Sequence, residues 1–330
     1  MSATVVAQLS GNDMARRSDS QGRLDDAARA GWLYYVAGRT QDEIAAAMGI
    51  SRQSAQRLVS LAVAERLIKV RLDHPISACL ELSNALRDKF NLRYIDVVPS
   101  DPVGTSTTVG IAEAAAAEIE RWLKRPEPIV LAIGTGRTLK AAVDQLPSME
   151  CPQHRIVSLT GNITPDGSAA YYNVIFSMAD AIKARHFPMP LPVLCSSAEE
   201  RVLLHGQPIV QSTLTLGAAA DVTFVGIGEL GEDAPLCVDG FLAPDDMAAL
   251  MERGAVGEIC GWMFDRDGKL LVDPINDRVA SVPIPPRERG TVIGVALGRR
   301  KERSMAAALR GGMINGLITD EKTAEHMLSA

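Results

Sequence analysis

The chain has 330 residues, 47 % hydrophobic, 22 % charged and 4 % aromatic, with a formal net charge of −6. This length suits two domains with ample apolar material, and the composition excludes a disordered or low-complexity chain. No run of roughly 18 apolar residues marks a membrane span, and nothing in the polar first 23 residues resembles a signal peptide.

The charge is unevenly spread. Seven Lys and Arg against five acids leave residues 24–72 at +2, the first 23 residues carry +1, and the remainder carries −9. A mildly basic head on an acidic body fits a small local contact with DNA and a different task behind it. Five cysteines, never spaced as C-x-x-C, point to neither a disulfide framework nor a zinc site, so no metal or cofactor is expected and a cytoplasmic location is.

Residues 1–23 read as a flexible tail. Ala27–Ala37 then makes a first helix, with Ala30, Leu33, Tyr34 and Ala37 on one face and Gly38 ending it. Thr40 stands three residues before Glu43, the spacing of a capping box, and opens a helix over Gln41–Met48. Gly49 can take the left-handed stop, and Ser51 is a good N-cap for a third helix over Arg52–Ala64.

In that third helix Ala55, Leu58, Val59 and Ala62 form the stripe to be buried, leaving Arg52, Gln53, Ser54, Gln56 and Arg57 outside. Arg and Gln read guanine and adenine edges through paired hydrogen bonds, and their crowding into the first two turns suits a recognition helix. Thr40, Gln41 and Ser51, at the two helix starts, complete the expected DNA-contacting set. ERLIKVRL (65–72) reads as a turn and strand, the wing of a winged helix, with Lys69 and Arg71 toward phosphates. Against this stands an ordinary solvated helical hairpin, which the caps, the Gly-Ile-Ser turn and the polar third helix together outweigh.

His74-Pro75 marks a boundary, because the residue before proline is pushed out of helix. Ile76, Leu80, Leu82, Leu86 and Phe90 then give an amphipathic helix, a connector over 76–92. The resulting division is a tail (1–23), a winged helix-turn-helix (24–75), the connector (76–92) and an effector domain (93–330).

From residue 94 short apolar runs alternate with Ala-rich helical stretches such as Gly110–Leu123 and Thr138–Leu146. The runs are YIDVVPS (94–100), PIVLAIGTG (128–136), HRIVSLTGN (154–162), PLPVLCSS (190–197), VTFVGIGEL (222–230) and TVIGVALG (291–298). Nearly unbroken apolar strands followed by helices call for a parallel sheet covered on both faces, a doubly wound α/β fold that binds ligands beyond its strand ends.

The strand, Gly-Thr-Gly turn and helix start of IVLAIGTGRTLKAAV (129–143) aim backbone amides and the Thr135 and Thr138 hydroxyls at a common point, with Arg137 beside them. A phosphate or a polyhydroxylated ligand suits such a turn, although it is neither G-x-G-x-x-G nor a Walker loop. Thr160 and Asn162 follow another strand, Glu229 a third, Glu258 and Asp265 lie by a further one, and Lys301 opens the last helical stretch. The five histidines are dispersed, and neither G-x-S-x-G nor H-E-x-x-H occurs. Glu258 and Asp265 are the loosely placed candidates for a base, which keeps a sugar-phosphate isomerase-like enzyme with a helical extension as the rival reading. A ligand-binding module without DNA contact is a third.

Taken together these residues resemble a known family. WLYYVAGRTQDEIAAAMGISRQSAQRLVSLA (32–62) is similar to the helix-turn-helix of the SorC (SorC/DeoR) family of sugar-responsive bacterial transcriptional regulators. GTGRTL (134–139), VGIGEL (225–230), GAVGEICGWMFD (254–265), VIGVALGRRK (292–301) and AALRGGMINGLITDEKTAEHML (307–328) resemble successive blocks of its effector domain, in order. The resemblance implies a winged helix-turn-helix and a Rossmann-like domain related to sugar-phosphate isomerases of the ribose-5-phosphate isomerase type. It also implies a sugar, sugar phosphate or polyol effector that alters the grip on double-stranded operator DNA, and assembly as a homodimer or homotetramer. The family's Gly-Thr turn matches Gly134, Thr135, Gly136 and Thr138, and its late basic position matches Lys301.

Overall fold

The computed structural model describes residues 22–65, 67–68, 76–102, 108–164, 167–169, 172–285 and 290–329. The chain divides into two compact units, Met1–His74 and Pro75–Ala330.

The first unit holds three described helices: α1 (residues 22–35), α2 (Gln41–Met48) and α3 (Arg52–Ala64). α1 is already helical at residue 22, inside the stretch read as tail, and it stops before Ala37. It buries Ala27 and Ala30, while Tyr34 and Ala37 are exposed, so the inward face lies toward its N-terminal half. α2 begins with the capping box: the Glu43 amide donates to Thr40 Oγ1 at 3.3 Å and the Thr40 amide to Glu43 Oε2 at 2.8 Å. Gly49 ends it with φ +68°, a conformation that a side chain would disfavour. Ser51 caps α3, accepting from the Ser54 amide at 3.1 Å. Ala30, Ile44, Ala55 and Val59 form the small core, with Leu33, Met48, Ile50 and Leu58 packed around it. The wing expected over 65–72, with Lys69 and Arg71, lies outside the described residues apart from residues 65 and 67–68.

The second unit opens with α4 (Ser77–Phe90). It packs on β1 (Tyr94–Val98) and on α13 (Glu321–Ser329) through Cys79, Ser83 and Leu86, with Leu82 and Phe90 partly covered. Ile76 and Leu80, assigned to the inward stripe by sequence, are exposed. Small residues let the helix lie close to the sheet, and this fixes its rotation.

Along the chain follow α5 (Ile111–Leu123), β2 (Val130–Ile133), α6 (Arg137–Asp144), β3 (Arg155–Ile163), α7 (Val174–Ile182), β4 (Arg185–Pro192), α8 (Ala198–His205), α9 (Pro208–Ala218) and β5 (Val222–Val225). Then come α10 (Pro235–Val238), α11 (Pro244–Glu252), β6 (Ala255–Ile259), β7 (Trp262–Asp265), β8 (Thr291–Val295), α12 (Glu302–Arg310), β9 (Gly316–Asp320) and α13.

Seven strands form one parallel sheet in the order β1-β9-β8-β5-β2-β3-β4. Every residue of β2 and β5 is buried, as expected of β-rich strands covered on both faces, while the edge strand β1 alternates. α5, α6 and α7 pack on one face around Leu131, Ile156 and Phe224. α4, α9, α12 and α13 cover the other around Val157, Val225 and Leu317.

β4 starts five residues before the apolar run read as a strand at 190–197, and carries Pro188, Pro190 and Pro192. It sits at the sheet edge, the place where missing amides are tolerated. β6 and β7 do not join this sheet. They form an antiparallel hairpin whose Cys260-Gly261 turn has positive φ at both residues, 54° and 84°, the geometry of a tight two-residue hairpin. No helix among the described residues is long and apolar enough to cross a membrane.

Candidate functional site

On α3 the outward face is defined by what the core does not use. Gln53, Gln56 and Arg57 are exposed and have no intramolecular partner among the described residues. Ser60, one turn further along the same stripe, is exposed too and was not among the sequence candidates. Arg52 is also exposed but lies 3.5 Å from Asp42 across the turn. The hydroxyls of Thr40, Ser51 and Ser54 are engaged in caps, Ser51 and Ser54 lying 2.9 Å apart, and Gln41 occupies the first position of α2. Three free polar side chains over the first two turns thus face solvent, while the serines and threonine hold the helix ends in shape.

In the second unit the sheet order places its ligand crevice. From β2 the chain moves outward to β3 and β4, and from β5 it moves the other way to β8 and β9, so the connections diverge between the neighbours β2 and β5. Beyond the carboxyl ends of strands at such a switch point an open α/β sheet leaves a crevice. A cavity of about 130 Å³ lies there. Thr135, Gly136 and Thr138 line it from the turn after β2, Thr160 and Gly161 from β3, Gly226–Gly228 from the turn after β5, and Lys301 from the turn after β8.

The hairpin closes it from the side. Gly228 and Glu258 exchange backbone hydrogen bonds of 2.9 and 3.2 Å, which brings Glu258, Cys260 and Gly261 into the wall. Glu258 therefore reaches the cavity from a separate sheet, not from an end of the main one. Glu258 Oε2 accepts from the Gly261 amide at 2.8 Å. Burial raises its carboxyl pKa above the ordinary range, partly offset by that amide and by Lys301. Burial likewise pushes the Cys260 thiol up to about 12.

Thr135 donates its hydroxyl to the Tyr172 carbonyl at 2.8 Å, leaving its lone pairs available. Thr160 is 3 % exposed, and its hydroxyl has no nitrogen or oxygen partner, with the Cys260 thiol as weak company. Lys301 Nζ lies 3.5 Å from Glu229 Oε2. α6 starts at Gly136 without a side-chain cap and without an acidic residue in its first turn, so its leading amides remain open to a ligand.

Six sequence candidates thus meet in one cavity: Thr135, Gly136, Thr138, Thr160, Glu258 and Lys301. Five do not line it. Gly134 is spent on the sheet, its amide donating to Phe224 O at 2.8 Å, and Asn162 lies beyond Gly161 on β3. Arg137 and Glu229 line an adjoining cleft of about 540 Å³, with Arg299, Arg300, Lys322 and His326. Asp265 is remote from Glu258 along the hairpin, where it accepts from the Asp267 and Lys269 amides and shapes a turn. Sequence reasoning missed Tyr172, Val193 and Phe241, which reach the cavity from segments without a motif. Cys260-Gly261 could have been read as a hairpin turn from its flanking β-rich residues. Among the described residues no three His, Cys, Asp or Glu side chains gather as a metal site.

An outward polar recognition helix, carried in one chain with an α/β unit holding a hydroxyl- and carboxylate-lined cavity, defines a ligand-responsive DNA-binding regulator. Residues 74–329 match the Sugar-bind family of sugar-binding domains, and residues 30–75 match the MarR family. The chain is similar to the erythritol catabolism regulatory protein EryD of Brucella abortus, 32 % identical over 302 residues that cover 92 % of this chain and 96 % of that one. It is also similar to the transcriptional regulator LsrR of Escherichia coli O139:H28, 31 % identical over 322 residues, 96 % of this chain and 98 % of that one. The full-length sorbitol operon regulator SorC from Klebsiella pneumoniae shares the fold, with a TM-score of 0.67 at 23 % identity over 92 % of this chain and 99 % of that one. The chain belongs to the SorC family of sugar-binding transcriptional regulators.

Proposed function

We propose that the chain controls a carbohydrate or polyol catabolic operon, and that a sugar, sugar phosphate or polyol in the switch-point cavity sets its affinity for operator DNA. The observation that carries this reading is the convergence of Thr135, Thr138, Thr160, Glu258 and Lys301 on one cavity in a chain that also bears a recognition helix. The names of EryD, an erythritol catabolism regulator, and SorC, a sorbitol operon regulator, point the same way for operon and effector.

Each group has a role. Gln53, Gln56 and Arg57 read base edges, and Arg52 and the caps at Thr40, Gln41, Ser51 and Ser54 set the helix against phosphates. Gly134 shapes the turn that presents Thr135, Gly136 and Thr138, and Asn162 and Arg137 lie at the margins. One recognition helix covers one half-site, so a homodimer or homotetramer is the working form, with half-sites about one helical turn apart or a multiple of it. Effector binding favours whichever arrangement holds the cavity in its liganded form, and can shift DNA affinity only by its differential affinity for the two arrangements. Residues 24–75 act as the DNA-binding domain, 76–92 as the connector and 93–330 as the effector domain, in a cytoplasmic protein that is not an enzyme.

One observation favours the enzymatic rival: Glu258, a carboxyl with a raised pKa lining the cavity, has the character of a general acid or base. Two assays separate the readings. A gel shift with DNA from the protein's own upstream region should show binding that changes with sugars or polyols. Turnover of pentose and hexose phosphates by the full chain would instead establish the isomerase.

A further inference from the structure

α13 touches both the candidate site and the connector helix. Lys322 and Thr323 in its first turn, and His326 one turn on, line the cleft that adjoins the cavity. The Gly298 amide donates to Thr323 Oγ1 at 2.9 Å. That bond ties the start of α13 to the loop bearing Lys301, a side chain that lines both spaces. His326 Nδ1 lies 2.7 Å from Glu302 Oε1 on α12, an exposed pair that a polar ligand can open.

The opposite face of α13 grips α4. Ala324 and Met327 are buried in the core that also takes Leu86. Two polar ties lie outside that apolar contact. Cys79, near the start of α4, donates its thiol to Glu321. Lys89, in the last turn of α4, donates to the Met327 and Leu328 carbonyls at 2.9 and 3.3 Å. Those carbonyls belong to the final turn of α13, where no helical amide reaches them and a cation is favoured. A helix that merely covered the sheet would need the apolar contact and neither tie. β1 is the other element packed closely on α4, and none of its residues lines either space. α4 is in turn the first helix after the DNA-binding unit in the chain.

We propose that α13 carries the state of the cleft to the connector α4, and that Lys89 is the positioning residue that makes the two helices shift as one. A ligand that meets Lys322 or His326 favours one placement of α13 over another, and the tie at Lys89 passes that bias to α4. The inference rests on reading the two adjoining spaces as the effector site.

Fluorescence anisotropy of labelled upstream DNA tests it on the full chain, with erythritol, sorbitol and the monophosphate of each as probes. Where a probe changes the wild-type affinity by roughly fivefold or more, the DNA affinity of Lys89→Met should stay within about twofold with and without it. Calorimetry should show that variant binding the probe as wild type does. Lys89→Arg keeps donors for the two carbonyls and should restore the change. A contact that only stabilised the fold would lower the melting temperature and leave the ratio of affinities as it was. Hydrogen exchange on wild type reads the same coupling without a substitution: the probe should alter protection over residues 77–90 together with 321–329. A Lys89→Met chain that keeps the full ratio, or a probe that alters 321–329 and leaves 77–90 unchanged, would overturn the inference with the effector site intact. No effect of any probe on wild-type DNA affinity or melting would remove the effector-site reading, and this inference with it.

Discussion

Thr160→Val separates what the cavity does for its ligand from what it does for the fold. The side chain is 3 % exposed on β3, and its hydroxyl has no nitrogen or oxygen partner. A buried hydroxyl left without a partner costs about 1–3 kcal/mol. Valine has nearly the same shape and suits a strand. The ligand-free protein should therefore gain on the order of 1 kcal/mol, allowing for the weak thiol contact that is lost, or about 2–4 °C in the melting of a unit this size. Ligand binding should move in the other direction, because a hydrogen bond made by that hydroxyl contributes about 0.5–1.5 kcal/mol. Differential scanning calorimetry of wild type and variant, with and without a stabilising polyol, reads both effects. A variant that melts lower without ligand, or that keeps the full ligand-induced shift, would refute the assignment of Thr160 as a binding hydroxyl held unsatisfied for its ligand.

Four further outcomes follow from the same structure. Arg57→Ala should weaken binding to the upstream DNA by ~1–3 kcal/mol if Arg57 reads a guanine, with the ligand-induced thermal shift unchanged; a gel shift and a thermal melt check the two parts. Thr40→Ala removes the capping box of α2 and should destabilise the first unit by about 1 kcal/mol, seen as an earlier loss of helical circular dichroism. Gly161→Ala should prevent soluble folding, because a Cβ there would overlap the backbone oxygens of Leu191 and Pro192; normal expression and melting would contradict that close approach. The raised pKa of Glu258 means that the folded state holds its proton more tightly than the unfolded chain does. Its contribution is complete below the ordinary carboxylate range and is lost as pH rises through the raised value. Glu258→Gln should accordingly flatten the fall of melting temperature with pH over that interval.

The parts of the molecule governed by neighbours in sequence were the legible ones. Thr40 with Glu43, Gly49 and Ser51 are local devices, and they place α2 and α3 at the residues their spacing indicates. The parallel sheet was equally readable, because strands covered on both faces must be apolar throughout. Rotation and docking were not readable. α4 turns Cys79 and Ser83 inward and leaves Leu80 half-exposed, since close packing on β1 and α13 outweighs the transfer energy of one leucine. β4 hides behind prolines that only an edge position permits. In the cavity, the Gly-Thr-Gly turn announces itself, but Glu258 arrives through a bridge to Gly228 that no sequence spacing encodes, and Tyr172 and Phe241 come from irregular segments. Lys301 was visible as a cation, whereas its neutralisation by Glu229, which changes what it can bind, depends on the fold.

The central claim is that one chain couples a small hydroxylated ligand to its grip on DNA. Fluorescence anisotropy of labelled upstream DNA, titrated with the full chain in the presence and absence of whichever polyol or sugar raises its melting temperature, tests that coupling directly. The account predicts an affinity change of roughly fivefold or more for wild type, and for Thr160→Val normal DNA affinity with a blunted response. Identical DNA affinity with and without a ligand that demonstrably stabilises the protein would contradict it.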